Sequence, residues 1–267
     1  MNFTELFEKI YQENGIETIS QNIVLVKPII ELDDEEEKKL LEGDGQTNPI
    51  QYKQINSSTG LAVNYYKILE KMNLIEDLVF EDKVAKPLKG KGGKKANLDV
   101  SYKRNGVIFY IESKFLEPYY SENEQNKDAY FDKNRYPVPD KDKTAWYDLL
   151  KDAQSYKYYN FSQLCRHLLA IWRNHENDPT KLVLQSVTWR MPDAFINHME
   201  SEDDKEKFRN RRKQIKEEAE KCQNRINTFL KRIGWNNIEF QALNYNDILD
   251  DISSSPLFEE FKKRYML

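Results

Sequence analysis

The chain has 267 residues, 39% hydrophobic and 32% charged, with a formal net charge of −4. That length builds one large domain or two small ones around a real core, and the lack of a run of about twenty apolar residues excludes a helical membrane span. The charge balance excludes a protein that coats nucleic acid through bulk positive charge, and the two cysteines, Cys165 and Cys222, are too few for a disulfide framework and read as buried thiols.

The first residues, 3–12, predict a short amphipathic, acidic helix, which lacks the layout of a signal peptide; a cytoplasmic location is expected. Residues 22–31 predict an extended segment interrupted by Pro28, and 32–56 a surface loop with about one helical turn. Ser57-Ser58-Thr59-Gly60 is an N-cap signal, and Leu61, Tyr65, Ile68, Leu69 and Met72 continue it at helical spacing. A strand over 78–86 and a hairpin over 97–114 follow. Residues 115–145, rich in Tyr, Asn, Asp and Pro, predict an insertion with little regular structure.

Helical spacing returns at Trp146, Leu149, Leu150 and Ala153, and again from Phe161 through Leu164, Cys165 and Leu168 to Trp172. Residues 181–189 predict a strand by their β-branched content. A long charged helix over about 203–232 carries Phe208, Ile215, Ala219, Cys222, Ile226 and Phe229 on one stripe. Residues 238–243 predict a last strand, followed by short helices. With no internal repeat or low-complexity linker, 1–267 reads as a single α/β domain. Its core is about 57–190, with an N-terminal extension, 1–56, and a C-terminal helical and strand extension, 191–267.

The hairpin carries ionisable residues where a plain hairpin has no use for them. Asn105-Gly106 supplies the positive-φ pair of a type I′ turn. Counting outward from Arg104 opposite Val107 places Asp99 opposite Glu112. Facing Cβ atoms lie roughly 4.5–5.5 Å apart, and opposed like charges destabilise a sheet unless a cation neutralises them. Lys114 shares the face of Glu112 because side chains alternate, and Ser113 takes the other. Glu112 and Lys114 also end the apolar run Val107–Ile111, which reads as a strand buried on both faces. A metal site with an adjacent ammonium group follows from the residues alone.

The order helix, three mostly antiparallel strands, helix, strand, with Asp99 at the start of one strand and Glu112-Ser113-Lys114 in the next, resembles the PD-(D/E)XK nuclease superfamily, the restriction-endonuclease-like fold. Leu98 stands at the position of the motif's proline. Ser57-Ser58 with Asn64, and Gln163-Leu164-Cys165-Arg166, resemble signatures of a bacterial subgroup of restriction-endonuclease-like proteins. The resemblance implies an αβββαβ core, a mixed sheet flanked by helices, with N- and C-terminal helical additions. It also implies a Mg²⁺-dependent deoxyribonuclease, with Mn²⁺ able to substitute, in restriction, defence or mobile-element biology.

On that resemblance Asp99 and Glu112 are the metal ligands, with the Ser113 carbonyl a third. Lys114 holds or deprotonates the attacking water, its pKa lowered by partial burial and the metal. Gln163 and Arg166 are three apart on one helical face, Gln163 to orient Lys114 or a metal-bound water and Arg166 to clamp a phosphate; His167 is assigned a structural place on another azimuth. Lys89, Lys91, Lys94 and Lys95 form a glycine-containing basic loop leading into the Asp99 strand, suited to DNA backbone contact. Asn64 and Glu70 are weaker candidates. The Tyr-rich insertion suits base stacking, a lid or plain packing. The run Arg209–Lys213 suits a solvated face, a second phosphate contact or a homodimer surface. The alternatives are an RNA or branched-DNA nuclease on the same core, a catalytically idle module that binds nucleic acid or protein, or a protein-interaction domain using the 203–232 helix.

Overall fold

The computed structural model describes residues 2–20, 24–41, 51–90, 93–120, 122 and 125–265. Helix α1 (Phe3–Glu13) starts on Asn2, whose side chain accepts from the Thr4 N–H, and buries Leu6, Phe7, Ile10 and Tyr11. Strands β1 (Thr18–Ser20) and β2 (Val24–Val26) form a small antiparallel pair, so the extended reading of 22–31 holds only for its centre; 21–23 lie outside the described residues. Helix α2 (Asp34–Leu41) is longer than the single turn expected. Its signal is a capping box: the Asp33 carboxylate accepts from the Glu35 and Glu36 N–H groups, and Glu36 reaches back to the Asp33 N–H.

Helix α3 (Ser58–Lys71) is capped by Ser57, whose hydroxyl accepts from the Gly60 N–H at 3.1 Å. Gly60 is required by close approach, since a Cβ there would sit 2.3 Å from the Tyr52 carbonyl oxygen. Asn64 is a clamp: its Oδ1 accepts from the Ile29 N–H at 2.8 Å and its amide donates to the Tyr265 hydroxyl at 2.7 Å. Lys67 of the same helix bridges Glu36 and Glu70, which places Glu70 in a surface ion network.

Strands β3 (Glu76–Lys83), β4 (Asn97–Arg104) and β5 (Val107–Lys114) are antiparallel neighbours. Asn105 and Gly106 turn the β4–β5 hairpin with φ of 53° and 74°, the type I′ geometry, and Arg104 faces Val107 as the count requires. A short helix α4 (Glu117–Tyr120), a series of 3-10 turns and α5 (Lys143–Asp152) lead to α6 (Phe161–Asn174). Strand β6 (Leu182–Thr188) then runs parallel to β5. Every residue of β6 is buried, whereas Val107, Ile108 and Phe109 of β5 are only partly so; the strand covered on both faces is β6, not β5.

Helix α7 (Asp193–Asn197), absent from the sequence reading, precedes α8 (Glu202–Ile233), β7 (Ile238–Asn244), a 3-10 segment over Tyr245–Ile252 and α9 (Phe258–Tyr265). Strand β7 is parallel to β6, which completes a five-stranded mixed sheet in the order β3-β4-β5-β6-β7. Helix α8 closes its outer edge with side chains: Asn227 exchanges two hydrogen bonds with the Phe240 backbone, and Gln223 accepts from the Ala242 N–H.

Helix α3 and the C-terminal segments cover one face, with Tyr65 against Tyr245 and Phe261. Helices α5, α6 and α8 cover the other, joined by Trp146 against Trp172 and Phe229. Phe7 of α1 packs on Phe115, Trp189 and Phe195, so the N-terminal helix shares the central apolar cluster. Cys165 and Cys222 are buried free thiols. Among the described residues no helix is long and apolar enough to cross a membrane.

Candidate active site

The β4–β5 register is paired as far as Val100–Ile111, and Asp99 and Glu112 are the next residues outward on the two strands. At that step Asp99 Oδ2 accepts a short 2.6 Å hydrogen bond from the Ser113 N–H. Glu112 is almost fully buried. Its Oε1 lies 2.5 Å from Lys114 Nζ and its Oε2 lies 2.8 Å from His167 Nε2. The parallel register puts Ser186 beside Glu112 and Thr188 beside Lys114. Together with Tyr158 and Tyr159 these residues wall a cavity of about 140 Å³.

Charge on the pair is divided unequally. Burial pushes the Glu112 carboxyl up, but facing Lys114 and His167 it is held down at about 2. Burial and then the Glu112 charge push Asp99 well above the usual carboxylate range, opposed by Lys114 and the Ser113 N–H, with Glu81 adding to the rise. Burial works to lower Lys114, yet Glu112, Asp99 and Glu117 outweigh it and the ammonium titrates above its ordinary range. Burial alone therefore does not lower Lys114, because its three carboxylate neighbours outweigh desolvation.

Glu81 is a third carboxylate at this place, one that the sequence analysis did not single out. The β3–β4 register, paired on both sides of it, sets it opposite Asp99. Its φ of 55° departs from strand geometry, and the Asn97 amide donates to its Oε2. Even so, among the described residues no three His, Cys, Asp or Glu side chains converge to enclose a metal unaided. The donors present are hard carboxylate oxygens on adjoining strands. That set suits Mg²⁺, which binds through one or two carboxylates and keeps several waters, and does not suit a closed nitrogen and sulfur cage.

Two assignments on α6 change. Gln163 does not orient Lys114: its Oε1 accepts from the Asn160 amide at 2.5 Å. His167 is the α6 residue that reaches the pair. Its signal was available, because residues four apart share a helical face and Gln163 and His167 have that spacing. Arg166 donates to Asn126 Oδ1 at 3.3 Å and lies over the Tyr130 ring. Gln163, Arg166 and His167 wall a second cavity, of about 790 Å³, with Lys86, Lys94 and Lys95. Lys89 is exposed outside those walls, its N–H donating to the Arg135 carbonyl at 2.7 Å, and Lys91 lies outside the described residues. Ser113 turns its hydroxyl to Tyr245 at 2.7 Å, on the opposite face from Glu112.

A family described as restriction endonuclease associating with ARP matches residues 3–266. No curated protein and no solved structure gives a significant match.

Proposed function

The chain belongs to this restriction-endonuclease family, and from that premise we propose that it is a metal-dependent DNA endonuclease of the PD-(D/E)XK type. The observation that carries the reading is Lys114 closed on Glu112 at 2.5 Å, with the Asp99 carboxylate held on the N–H of Ser113 between them. A domain that only binds has no physical reason to keep two neighbouring carboxylates and a partly buried ammonium together, because each charge taken from water costs several kcal/mol unless compensated.

Asp99, Glu112 and the Ser113 carbonyl would hold Mg²⁺, with Mn²⁺ able to substitute. When bound, the ion supplies charge neutralisation at the scissile phosphate and makes water a better nucleophile. Lys114 reaches the cavity from the same face and holds the attacking water against the phosphate. His167 keeps Glu112 in one orientation. Arg166, Lys94 and Lys95 offer donors to the backbone of the approaching DNA, contacts that position a substrate without reading its sequence. The family's description also names association with ARP, and we extend that partnership to this chain as part of the proposal.

The test is incubation of the full chain with plasmid DNA, single-stranded DNA and RNA, in Mg²⁺, Mn²⁺ or chelator, beside Lys114→Ala. DNA cleavage that requires the metal and disappears in the variant supports the reading. Cleavage that survives chelator or Lys114→Ala, or no cleavage of any substrate, overturns it.

A further inference from the structure

We propose that the groove between α8 and the C-terminal ends of β6 and β7 binds the phosphate backbone of the DNA strand as it leaves the catalytic cavity. This deepens the nuclease reading and rests on it. The groove encloses about 420 Å³, and its walls carry Arg190, Arg209, Arg212, Lys213 and Lys216. The four from α8 recur on successive turns, so they line one side at the 5.4 Å helical pitch.

The opposing acids are few and engaged. Asp247 is held by the N–H and amide of Asn244. Glu220 lies 3.8 Å from Lys216. Arg212 is fixed by Asp193 at 2.7 Å and by the Met191 carbonyl, which sets its place in the wall. Lys213 and Lys216 make only long, exposed pairs with Glu217 at 3.9 Å and Glu220 at 3.8 Å and keep side chains 77% and 67% exposed, and Arg190 is exposed where the chain leaves β6, so these charges are accessible to a ligand.

Continuity with the active site decides the occupant. Thr188 is a wall of both the groove and the catalytic cavity, and its buried hydroxyl has no hydrogen-bond partner among the described residues. The sheet register sets Lys114 beside Thr188 and Thr188 beside Asn244, and residues paired across strands share a face. Asn97, at the start of β4, borders the lysine-rich cavity, whose wall also includes His167 beside Glu112. Basic walls therefore adjoin the Glu112–Lys114 pair through His167 on one side and Thr188 on the other. A strand whose phosphate lies at Lys114 must continue over one wall or the other. The groove's floor of Ile215, Ala219 and Leu243 suits sugar faces beneath a backbone tracked by cations.

The experiment compares wild type, Arg190→Gln/Lys213→Gln/Lys216→Gln, and a control that removes equal charge from the far half of α8, Lys221→Gln/Lys231→Gln/Arg232→Gln. Binding of a fluorescent DNA oligonucleotide is measured in chelator across a salt series, and Mg²⁺-dependent cleavage is measured in parallel. The groove variant is expected to bind more weakly and to flatten the log–log salt slope by about 2–3, near 0.7–0.9 per lost phosphate contact. The control should keep the wild-type slope. If groove variant and wild type share one slope, or variant and control fall alike, the groove is not the track, while wild-type cleavage leaves the nuclease reading standing. If wild type cleaves nothing, the nuclease reading fails, and with it the groove's role in catalysis.

Discussion

His167 Nε2 stands 2.8 Å from Glu112 Oε2, inside a site where Glu112 also meets Lys114. The imidazole comes from α6 and the carboxylate from β5, so one contact ties the helical layer to the sheet at the proposed metal ligand. Groups that orient a ligand in this way typically change metal affinity 10–100-fold when removed. His167→Ala is accordingly expected to weaken Mg²⁺ binding by about that factor, read by titration calorimetry on the intact chain. His167→Gln, which can still donate to Glu112, should recover part of the loss. Unchanged Mg²⁺ affinity in His167→Ala would show that Glu112 is positioned without it.

The Glu112–Lys114 pair predicts strong non-additivity. Removing one partner of a buried ion pair leaves an uncompensated charge and costs roughly 3–5 kcal/mol. Lys114→Met and Glu112→Gln should each lower metal-free stability by about that much in urea titrations. The double variant should lose less than the sum, with a coupling on the order of 1–3 kcal/mol. Strict additivity would mean that the two groups do not share the interaction their 2.5 Å separation implies.

Asn64 separates architecture from chemistry. Its two hydrogen bonds hold the segment after β2 and the end of α9 to α3, away from the carboxylates. Asn64→Ala should cost about 2–4 kcal/mol, since it strands a backbone N–H and a buried hydroxyl. Mg²⁺ affinity of the folded variant should match wild type. A large change in affinity at preserved stability would return Asn64 to the functional set.

What was legible beforehand follows the range of each signal. The Asn105-Gly106 turn fixes its own register, and counting outward from Arg104 opposite Val107 holds as far as Val100 opposite Ile111, because every step is local to one hairpin. Helices α3, α6 and α8 declare themselves through apolar spacing. Glu81 was hidden for the opposite reason: its place beside Asp99 depends on how β3 pairs across a long loop, and the register shifts between Glu76 and Val79. His167 was read by its neighbour Arg166 instead of by Gln163 one turn earlier. The basic walls of α8 carry no sequence mark that separates them from a solvated face; only the crossing of α8 over β6 and β7 brings them to the active-site edge.

The unequal sharing of charge between Asp99 and Glu112 gives a signed pH prediction. An acid whose folded-state pKa lies above its unfolded value near 3.9 costs stability while the unfolded chain is ionised, and the cost fades as pH falls toward that value. Burial and the Glu112 charge raise Asp99 in this way, so Asp99→Asn removes a destabilising charge in the absence of metal. The variant should unfold at a higher urea concentration than wild type at pH 7, and the two should converge by about pH 4. Added Mg²⁺ should reverse the order at pH 7, because ligand binding stabilises only the protein that retains its ligands. Glu112, held at about 2, contributes with the opposite sign: its stabilisation is complete above the unfolded carboxylate range and is lost as pH falls toward 2. Glu112→Gln should therefore be less stable than wild type at pH 7 and approach it under strong acid. If both carboxylate variants moved stability the same way, Asp99 and Glu112 would have to be equivalent acids, contrary to the hydrogen bonds that distinguish them.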